Sequence, residues 1–142
     1  MEYRSGSHTL HSIEYHFVWV TKYRYKILRG SISTRLRELI RQSCESRGIQ
    51  IVRGNISVDH VHVLLSCPPT LAPSKIVQYI KGRSSKLLQE SFPELKKQYW
   101  GQHMWARGYF CCTVGVVTEE MIKQYVENQG DKDGDEIFKI TE

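Results

Sequence analysis

The chain has 142 residues, a length that suits one domain with an ordinary hydrophobic core, and we predict a single domain over residues 1–142. Its 20 Lys and Arg residues exceed its 15 Asp and Glu residues, and this net charge of +5 fits either a phosphate-rich partner or an ordinary solvated surface. The four cysteines show no C-x-x-C spacing, and no apolar run is long enough to cross a bilayer. We therefore expect a cytoplasmic protein that does not enter a membrane.

The first half of the chain predicts a strand, a helix and a hairpin. Residues 10–20 are rich in aromatic and β-branched side chains, which is typical of a central strand. Apolar residues recur at helical spacing over 31–47, and Gly48 then predicts the end of that helix. Residues 49–57 and 60–67 are two β-rich runs separated by a two-residue connection, so they are expected to pair antiparallel.

The second half predicts a helix, a strand and a last helix. Ser74 is expected to cap the second helix, and a loop around Pro93 then leads to a strand region over 104–117. Thr118 is expected to cap the last helix, which ends at Gly130 and leaves 130–142 as a partly ordered tail.

The order of these elements predicts the fold class. Strand, helix, strand, strand, helix, strand, helix is the order of an α/β (α+β) domain with a ferredoxin-like or RRM-like antiparallel sheet and helices packed against it.

A pair of histidines lies at the start of the third predicted strand, in the stretch SVDHVHVLLS. Alternation places His60 and His62 on one face, so both imidazoles can bind one metal ion and leave coordination positions open for a substrate oxygen. The same pattern also fits two polar residues on an exposed sheet face. Asp59 can accept a hydrogen bond from an imidazole and orient it, although an Asp at a tight turn needs no such role.

The last predicted helix brings a phenol beside a carboxamide. Tyr125 and Gln129 are four residues apart in EEMIKQYVENQG and therefore share one helix face. Composition alone favours the other explanation, a tyrosine that faces the core beside Met121, Ile122 and Val126.

Four stretches closely resemble, in this order and at this spacing, the single-tyrosine HUH transposases (TnpA type) of very small bacterial insertion sequences: YHFVWVTKYR, VDHVHVLL, WGQHMWARGYFCCTVG and YVENQ. The sister group associated with repeated extragenic palindromes shares much of the pattern. The resemblance covers residues 15–129, and its HUH element is His60-Val61-His62. Val58 stands where relatives often have proline, a difference that affects turn rigidity and not chemistry.

The resemblance implies a metal-dependent enzyme that cleaves and rejoins single-stranded DNA. Tyr125 would be the nucleophile that forms a 5′-phosphotyrosine, and His60, His62 and Gln129 would hold a divalent ion. Imidazole suits several transition metals while amide and phosphate oxygens favour Mg or Mn, and we expect Mg or Mn by analogy. Relatives recognise DNA hairpins at the element ends, and they act as homodimers in which the tyrosine helix of one chain is able to complete the site of the other.

Two basic-aromatic segments are candidates for holding the DNA. The first follows the first strand and combines cations with rings that can stack on unpaired bases; we assign Lys22, Tyr23, Arg24 and Lys26 to it. The second is a stripe on the second helix, opposite its apolar face, formed by Lys75, Tyr79, Arg83 and Lys86. The first segment also fits an ordinary strand end whose basic side chains reach solvent.

Two other functions remain open at this stage. A non-catalytic single-stranded nucleic-acid binding module needs only the ferredoxin-like sheet and exposed aromatic residues, and it makes Tyr125 dispensable. A domesticated relative that cleaves palindromic repeats without moving itself shares the chemistry of the transposase.

Overall fold

A computed structural model describes the chain over residues 3–5, 10–11, 13–113 and 119–129. Its strands are β1 (Arg4–Ser5), β2 (Leu10–His11), β3 (Glu14–Val20), β4 (Gln50–Ile56), β5 (His60–Ser66) and β6 (Phe110–Cys112). Its helices are α1 (Gly30–Ser46), α2 (Pro73–Ser91), α3 (Pro93–Gln98) and α4 (Glu119–Gln129), with a short 3-10 turn at Lys22–Arg24. None of the helices in these ranges is long and apolar enough to cross a membrane.

The main sheet has the strand order β4-β5-β3-β6, and every neighbouring pair is antiparallel. Two strands that are far apart in sequence, β3 and β5, therefore form its centre, as the ferredoxin-like order requires. The predicted fold class is confirmed. A small separate sheet pairs β1 with β2, so the single strand predicted over 10–20 is divided and its long part begins at Glu14.

The two faces of the sheet are covered by different helices. On one face, Phe17 and Trp19 of β3 join residues of β5, α1 and α2 in the main core. On the other face, α4 packs over a smaller second core, which consists of Val18, Val20, Ala106, Tyr125 and Val126. This division follows from the alternation of β3, because odd and even residues point to opposite faces.

Gly48 ends α1 as predicted. It has a left-handed backbone with φ of 69°, which costs glycine little. The N–H of Gly48 donates to the carbonyl of Glu45 at 3.3 Å, and the N–H of Ile49 donates to that of Cys44 at 2.9 Å. These are the two hydrogen bonds of a Schellman motif.

The start of α2 and the region around Pro93 differ from expectation. Pro73 occupies the first turn of α2 and Ala72 is its N-cap, so Ser74 does not cap the helix. The fixed φ of proline suits a first helical position, and Pro93 likewise begins the short helix α3 where a loop was predicted.

The strand region predicted over 104–117 is also wrong over most of its described part, since β6 covers only Phe110–Cys112. Before it, the N–H of Ala106 donates to the carbonyl of Val20 at 2.9 Å, and the carbonyl of Met104 accepts from the N–H of Lys22 at 2.8 Å. These single contacts guide the segment along the end of β3 without forming a ladder. The expected cap at Thr118, the stop at Gly130 and the tail 130–142 lie outside the described residues.

Candidate active site

The paired histidines lie on the central strand β5, on the face covered by α4. Their cross-strand partners in β3 are Val20 for His60 and Val18 for His62. Both imidazoles line a cavity of about 560 Å³, as the alternation of the strand predicts. The predicted juxtaposition of the two rings is therefore present.

Asp59 orients the first of these histidines. Nδ1–H of His60 donates to Oδ1 of Asp59 at 3.0 Å, which leaves Nε2 of the ring for another partner. The other carboxylate oxygen of this buried Asp59 accepts from Nε of Arg24 at 3.2 Å. The hydrogen bond expected between Asp59 and an imidazole is therefore present.

The turn that supplies Arg24 has an unusual backbone. Tyr23 and Arg24 have φ of 63° and 52°, a left-handed conformation that is uncommon for residues with side chains. The turn is tied to the loop before β5, because Thr21 N–H donates to the carbonyl of Asp59 at 2.9 Å and Leu28 N–H donates to that of Val58 at 2.8 Å. Such conformations persist only where surrounding contacts hold them.

A third histidine contacts the second member of the pair. Nδ1 of His16 lies 3.2 Å from Nε2 of His62, and their ring centroids are 5.4 Å apart. Burial, and secondly the neighbouring His16, lowers the pKa of His62 to about 4, so this imidazole is neutral at pH 7. No role for His16 was expected from the sequence, because the register between β3 and β5 is needed to bring the two rings together.

Tyr125 and Gln129 lie on the inner side of α4, but neither is among the described residues that line the histidine cavity. Tyr125 is 1% exposed, and its ring packs against that of Phe110 with centroids 6.3 Å apart. Burial raises the pKa of its phenol well above the usual value. Nε2 of the buried Gln129 donates to the carbonyl of Arg107 at 3.2 Å. In this arrangement Tyr125 is a core residue, the alternative that its helical spacing left open.

The part of α4 that faces the cavity carries three charged side chains besides the apolar Ile122 and Val126. Its lining residues there include Glu120, Lys123 and Glu127. Within the described ranges, no group of three or more His, Cys, Asp or Glu side chains is arranged to hold a metal ion. Among the described residues, His60 and His62 therefore do not form a complete metal site on their own.

The basic-aromatic turn presents rings beside this site. Tyr23 and Tyr25 are exposed with ring centroids 5.4 Å apart, and Tyr25 lies 5.6 Å from the buried Tyr99. Lys22 lies over the Tyr23 ring, and Lys26 is exposed. Arg24 differs from the other predicted DNA-binding residues of this turn, because its guanidinium is engaged with Asp59.

The predicted stripe on α2 lies on the other side of the sheet from α4. Two of its residues are exposed and two contact α1. Lys75 and Lys86 are exposed. The ring of Tyr79 is covered by Arg47 at 4.0 Å from its centroid, and its hydroxyl is 3.2 Å from Oγ of Ser46. Nη1 of Arg83 donates to Oγ of Ser43 at 3.1 Å. Tyr79 and Arg83 thus join α2 to α1, whereas the two lysines are accessible to a ligand.

Lys81 is a residue with an unexpected position. Its ammonium donates to the carbonyls of Ala106 at 2.9 Å and Gly108 at 2.8 Å, on either side of the Arg107 carbonyl that accepts from Gln129. Burial lowers the pKa of Lys81 to about 8. No sequence signal indicates this role, because a lysine on a helix is normally solvated.

Comparison with known proteins agrees with this fold. A sequence profile of the family described as "Transposase IS200 like" matches residues 9–129. The chain is 32% identical over 133 residues to the ISDra2 transposase TnpA of Deinococcus radiodurans, covering 94% of this chain and 95% of that protein. It is 35% identical over 130 residues to the transposase for insertion sequence element IS200 of Salmonella typhimurium strain LT2, covering 92% and 85%.

Solved structures give the same result. The crystal structure of a Deinococcus radiodurans R1 protein described as a transposase matches with a TM-score of 0.82 at 32% identity, covering 89% of this chain and 97% of that one. A REP-associated tyrosine transposase bound to a REP hairpin matches with a TM-score of 0.55 at 15% identity, covering 93% and 76%, and shares the fold.

These matches define the class of the protein as a transposase. The chain belongs to the IS200-like transposase family, and the resemblance noted in its sequence is confirmed. Membership of this family makes it a DNA-cleaving and strand-transfer enzyme of insertion-sequence type.

Proposed function

We propose that this transposase cleaves and rejoins single-stranded DNA at hairpin-bearing element ends through a 5′-phosphotyrosine on Tyr125, with a divalent ion at His60 and His62. The observation that carries the proposal is the pair of imidazoles on one face of a central strand, each with one ring nitrogen hydrogen-bonded to a buried partner. This is the arrangement of metal-binding histidines, whose second nitrogen is normally held by a neighbouring group.

The donor set fits a divalent ion in part. His60 and His62 line one cavity and can supply two neutral nitrogen ligands. Gln129 is the proposed third ligand. In this structure its amide nitrogen donates a hydrogen bond to the carbonyl of Arg107. The ion, Mg or Mn in our proposal, supplies Lewis-acid polarisation of the scissile phosphate when it is bound.

Tyr125 performs the covalent step in this proposal. Its oxygen forms a bond to phosphorus while the bond to the 3′-oxygen of the preceding nucleotide breaks, and the phenolic proton ends on that 3′-oxygen. Rejoining reverses these changes, so the energy of the phosphodiester is retained and no nucleotide cofactor is needed. The phenol has a pKa near 10 in water, so it needs a polarised phosphate or a proton acceptor to react at neutral pH.

The position of Tyr125 requires a rearrangement before this step. The ring is buried against Phe110 and does not reach the wall of the histidine cavity. We propose that α4 leaves the second core and carries Tyr125 and Gln129 to a pair of histidines. This pair belongs either to the same chain or to a second copy of the chain. Both side chains then move as one unit, because they are one helical turn apart.

The proposed substrate is single-stranded DNA with a hairpin. The REP-associated transposase of the same fold, which is bound to a REP hairpin, supports the hairpin. The exposed rings of Tyr23 and Tyr25 lie on the turn that also holds Asp59, so an unpaired base stacked there would lie near the histidines. The proposed phosphate contacts are the partly exposed Lys22 and the exposed Lys26, Lys75 and Lys86. Tyr79 and Arg83 support the lysines of α2 by joining that helix to α1.

A homodimer is proposed through an edge of the sheet. The edge strand β4 is exposed along nearly all its length, and it includes Ile51 and Val52 at 37% and 48% exposure. An edge with apolar side chains is a surface that proteins usually cover or pair. Pairing two sheets there would also bring a second α4 into the same assembly.

A cleavage assay separates this enzyme from a binding module. A labelled single strand with a hairpin is incubated with the protein and Mg²⁺ or Mn²⁺, with and without a chelator. We expect cleavage that requires the metal and is abolished in His60→Ala, while a gel shift with the uncut strand is retained. His103→Ala, which removes an exposed histidine elsewhere, is the control and should cleave normally. Binding without cleavage under every metal condition would support the binding module instead.

A further inference from the structure

His16 is a buried polar residue that lies behind the histidine pair. It is 5% exposed, on the same sheet face as His60 and His62. In the register of β3 with β5, His62 is opposite Val18 and His16 is opposite Leu64, so His16 is the diagonal neighbour of His62. Long side chains reach each other in such diagonal positions.

Only one proton lies between Nδ1 of His16 and Nε2 of His62 in their hydrogen bond. A neutral imidazole has one N–H donor and one acceptor nitrogen, so in a bond of 3.2 Å one ring donates and the other accepts. If Nδ1 of His16 donated, the proton of neutral His62 would lie on its own Nδ1, and no lone pair would remain for a metal ion. If His16 accepts, His62 carries its proton on Nε2 and keeps the lone pair of Nδ1.

We infer that His16 is a positioning residue for the metal centre: its Nδ1 accepts the proton on Nε2 of His62, and Nδ1 of His62 is the nitrogen that binds the divalent ion. The inference rests on the proposed metal site. The two histidines would then bind the ion through different ring nitrogens. His62 uses Nδ1, whereas His60 donates from Nδ1 to Asp59 and keeps Nε2 for the ion. Each imidazole is then held by one partner in the orientation that its ligand nitrogen needs.

Removal of the acceptor should weaken metal binding. In His16→Leu a group of similar size replaces the ring, and Nε2–H of His62 loses its partner. Loss of such a partner typically lowers metal affinity by about 10–100-fold. In His16→Asn the amide oxygen can take the place of Nδ1, so binding should be largely restored.

Titration of Mn²⁺, followed by the electron paramagnetic resonance signal of the free ion, measures these affinities without DNA. The unaltered chain and His103→Leu should bind equally, His16→Leu about 10–100-fold more weakly, and His16→Asn close to the unaltered chain. Circular dichroism melting of each metal-free variant controls for folding. Equal binding by folded His16→Leu would overturn the inference while leaving the proposed metal site intact. Absence of Mn²⁺ binding by the unaltered chain would overturn that site and the inference together.

Long-range ¹H–¹⁵N spectra of histidine-labelled protein test the same point without a substitution at His16. We expect the proton of His62 on Nε2 and a shift of its Nδ1 signal when Mg²⁺ is added. A proton on Nδ1, with Nε2 responding to Mg²⁺, would contradict the inference even if the His16 variants do not fold.

Discussion

Arg24 and Asp59 form an ion pair, with Nε of the guanidinium 3.2 Å from Oδ2 of the carboxylate, and they connect a left-handed turn to the ring of His60. Asp59 is almost fully buried, so it depends on its two partners to compensate for lost solvation. The orientation of a proposed metal ligand therefore depends on a turn that is distant in sequence.

Replacement of Arg24 by Lys should weaken metal binding without a change of charge. A lysine ammonium cannot reproduce the fixed geometry of the guanidinium Nε–H, so Asp59 and His60 become less well held. We expect Mn²⁺ affinity to fall by about 10-fold. Arg29→Lys is the matched control, since Nε of Arg29 donates to the exposed carbonyl of Lys26 and not to Asp59. Equal Mn²⁺ affinities for the two variants would contradict a positioning role for Arg24.

Two glycines with similar open surroundings should respond oppositely to alanine. Apart from the adjacent residues and the backbone of the helix itself, no heavy atom lies within 4 Å of the position that a Cβ would take on Gly48 or Gly82. Gly48 is left-handed, so Gly48→Ala should destabilise the protein by about 1–2 kcal/mol. Gly82 lies inside α2, so Gly82→Ala should stabilise it by about 0.5–1 kcal/mol. Urea unfolding measures both, and changes of the same sign would contradict the assigned helix boundary.

The partly buried Lys81 should make the free energy of unfolding depend on pH in the alkaline range. Its folded pKa of about 8 lies below the ordinary value of 10.5, so the folded state releases this proton at lower pH than the unfolded state. The free energy of unfolding should therefore rise from pH 8 to 10.5 relative to Lys81→Met, whose side chain does not titrate. The neutral amine keeps two N–H donors for its two carbonyl partners. If the two proteins differ in free energy of unfolding by the same amount at every pH in this range, Lys81 is solvated and the prediction is wrong.

The exposed lysines of α2 should contribute to the salt dependence of DNA binding. A lysine that contacts phosphate in single-stranded DNA accounts for a slope of about 0.7 in log K against log salt. Lys75→Gln and Lys86→Gln should each reduce the slope by about this amount and leave the melting temperature unchanged. Arg41→Gln is the control, because Arg41 pairs with Glu45 on the exposed face of α1. Unaltered slopes in both lysine variants would exclude this stripe from the DNA interface.

Local periodicity in the sequence was sufficient to predict several parts of the structure. Alternation in β5 placed His60 and His62 on one face, and the apolar spacing of α1 with Gly48 predicted that helix and its end. These features depend on residues close in sequence, where the periods of strands and helices apply directly.

Contacts between distant segments do not follow from local periodicity. The hydrogen bond of His16 with His62 depends on the register of β3 and β5, and the pair of Arg24 with Asp59 depends on an uncommon backbone conformation. The spacing of Tyr125 and Gln129 predicted that they share a face of α4, but not that this face packs on Phe110 in place of the histidine cavity. Which surface a helix contacts is decided by the whole fold.

The most direct test of the account is to identify the residue that becomes joined to DNA. A hairpin-bearing single strand labelled at its 3′ end is incubated with the protein and Mg²⁺, and the denatured adduct is digested and mapped by mass spectrometry. We predict an adduct on Tyr125 that is absent in Tyr125→Phe and retained in Tyr99→Phe, which alters another buried tyrosine. An adduct on a different residue, or undiminished cleavage by Tyr125→Phe, would contradict the proposed reaction.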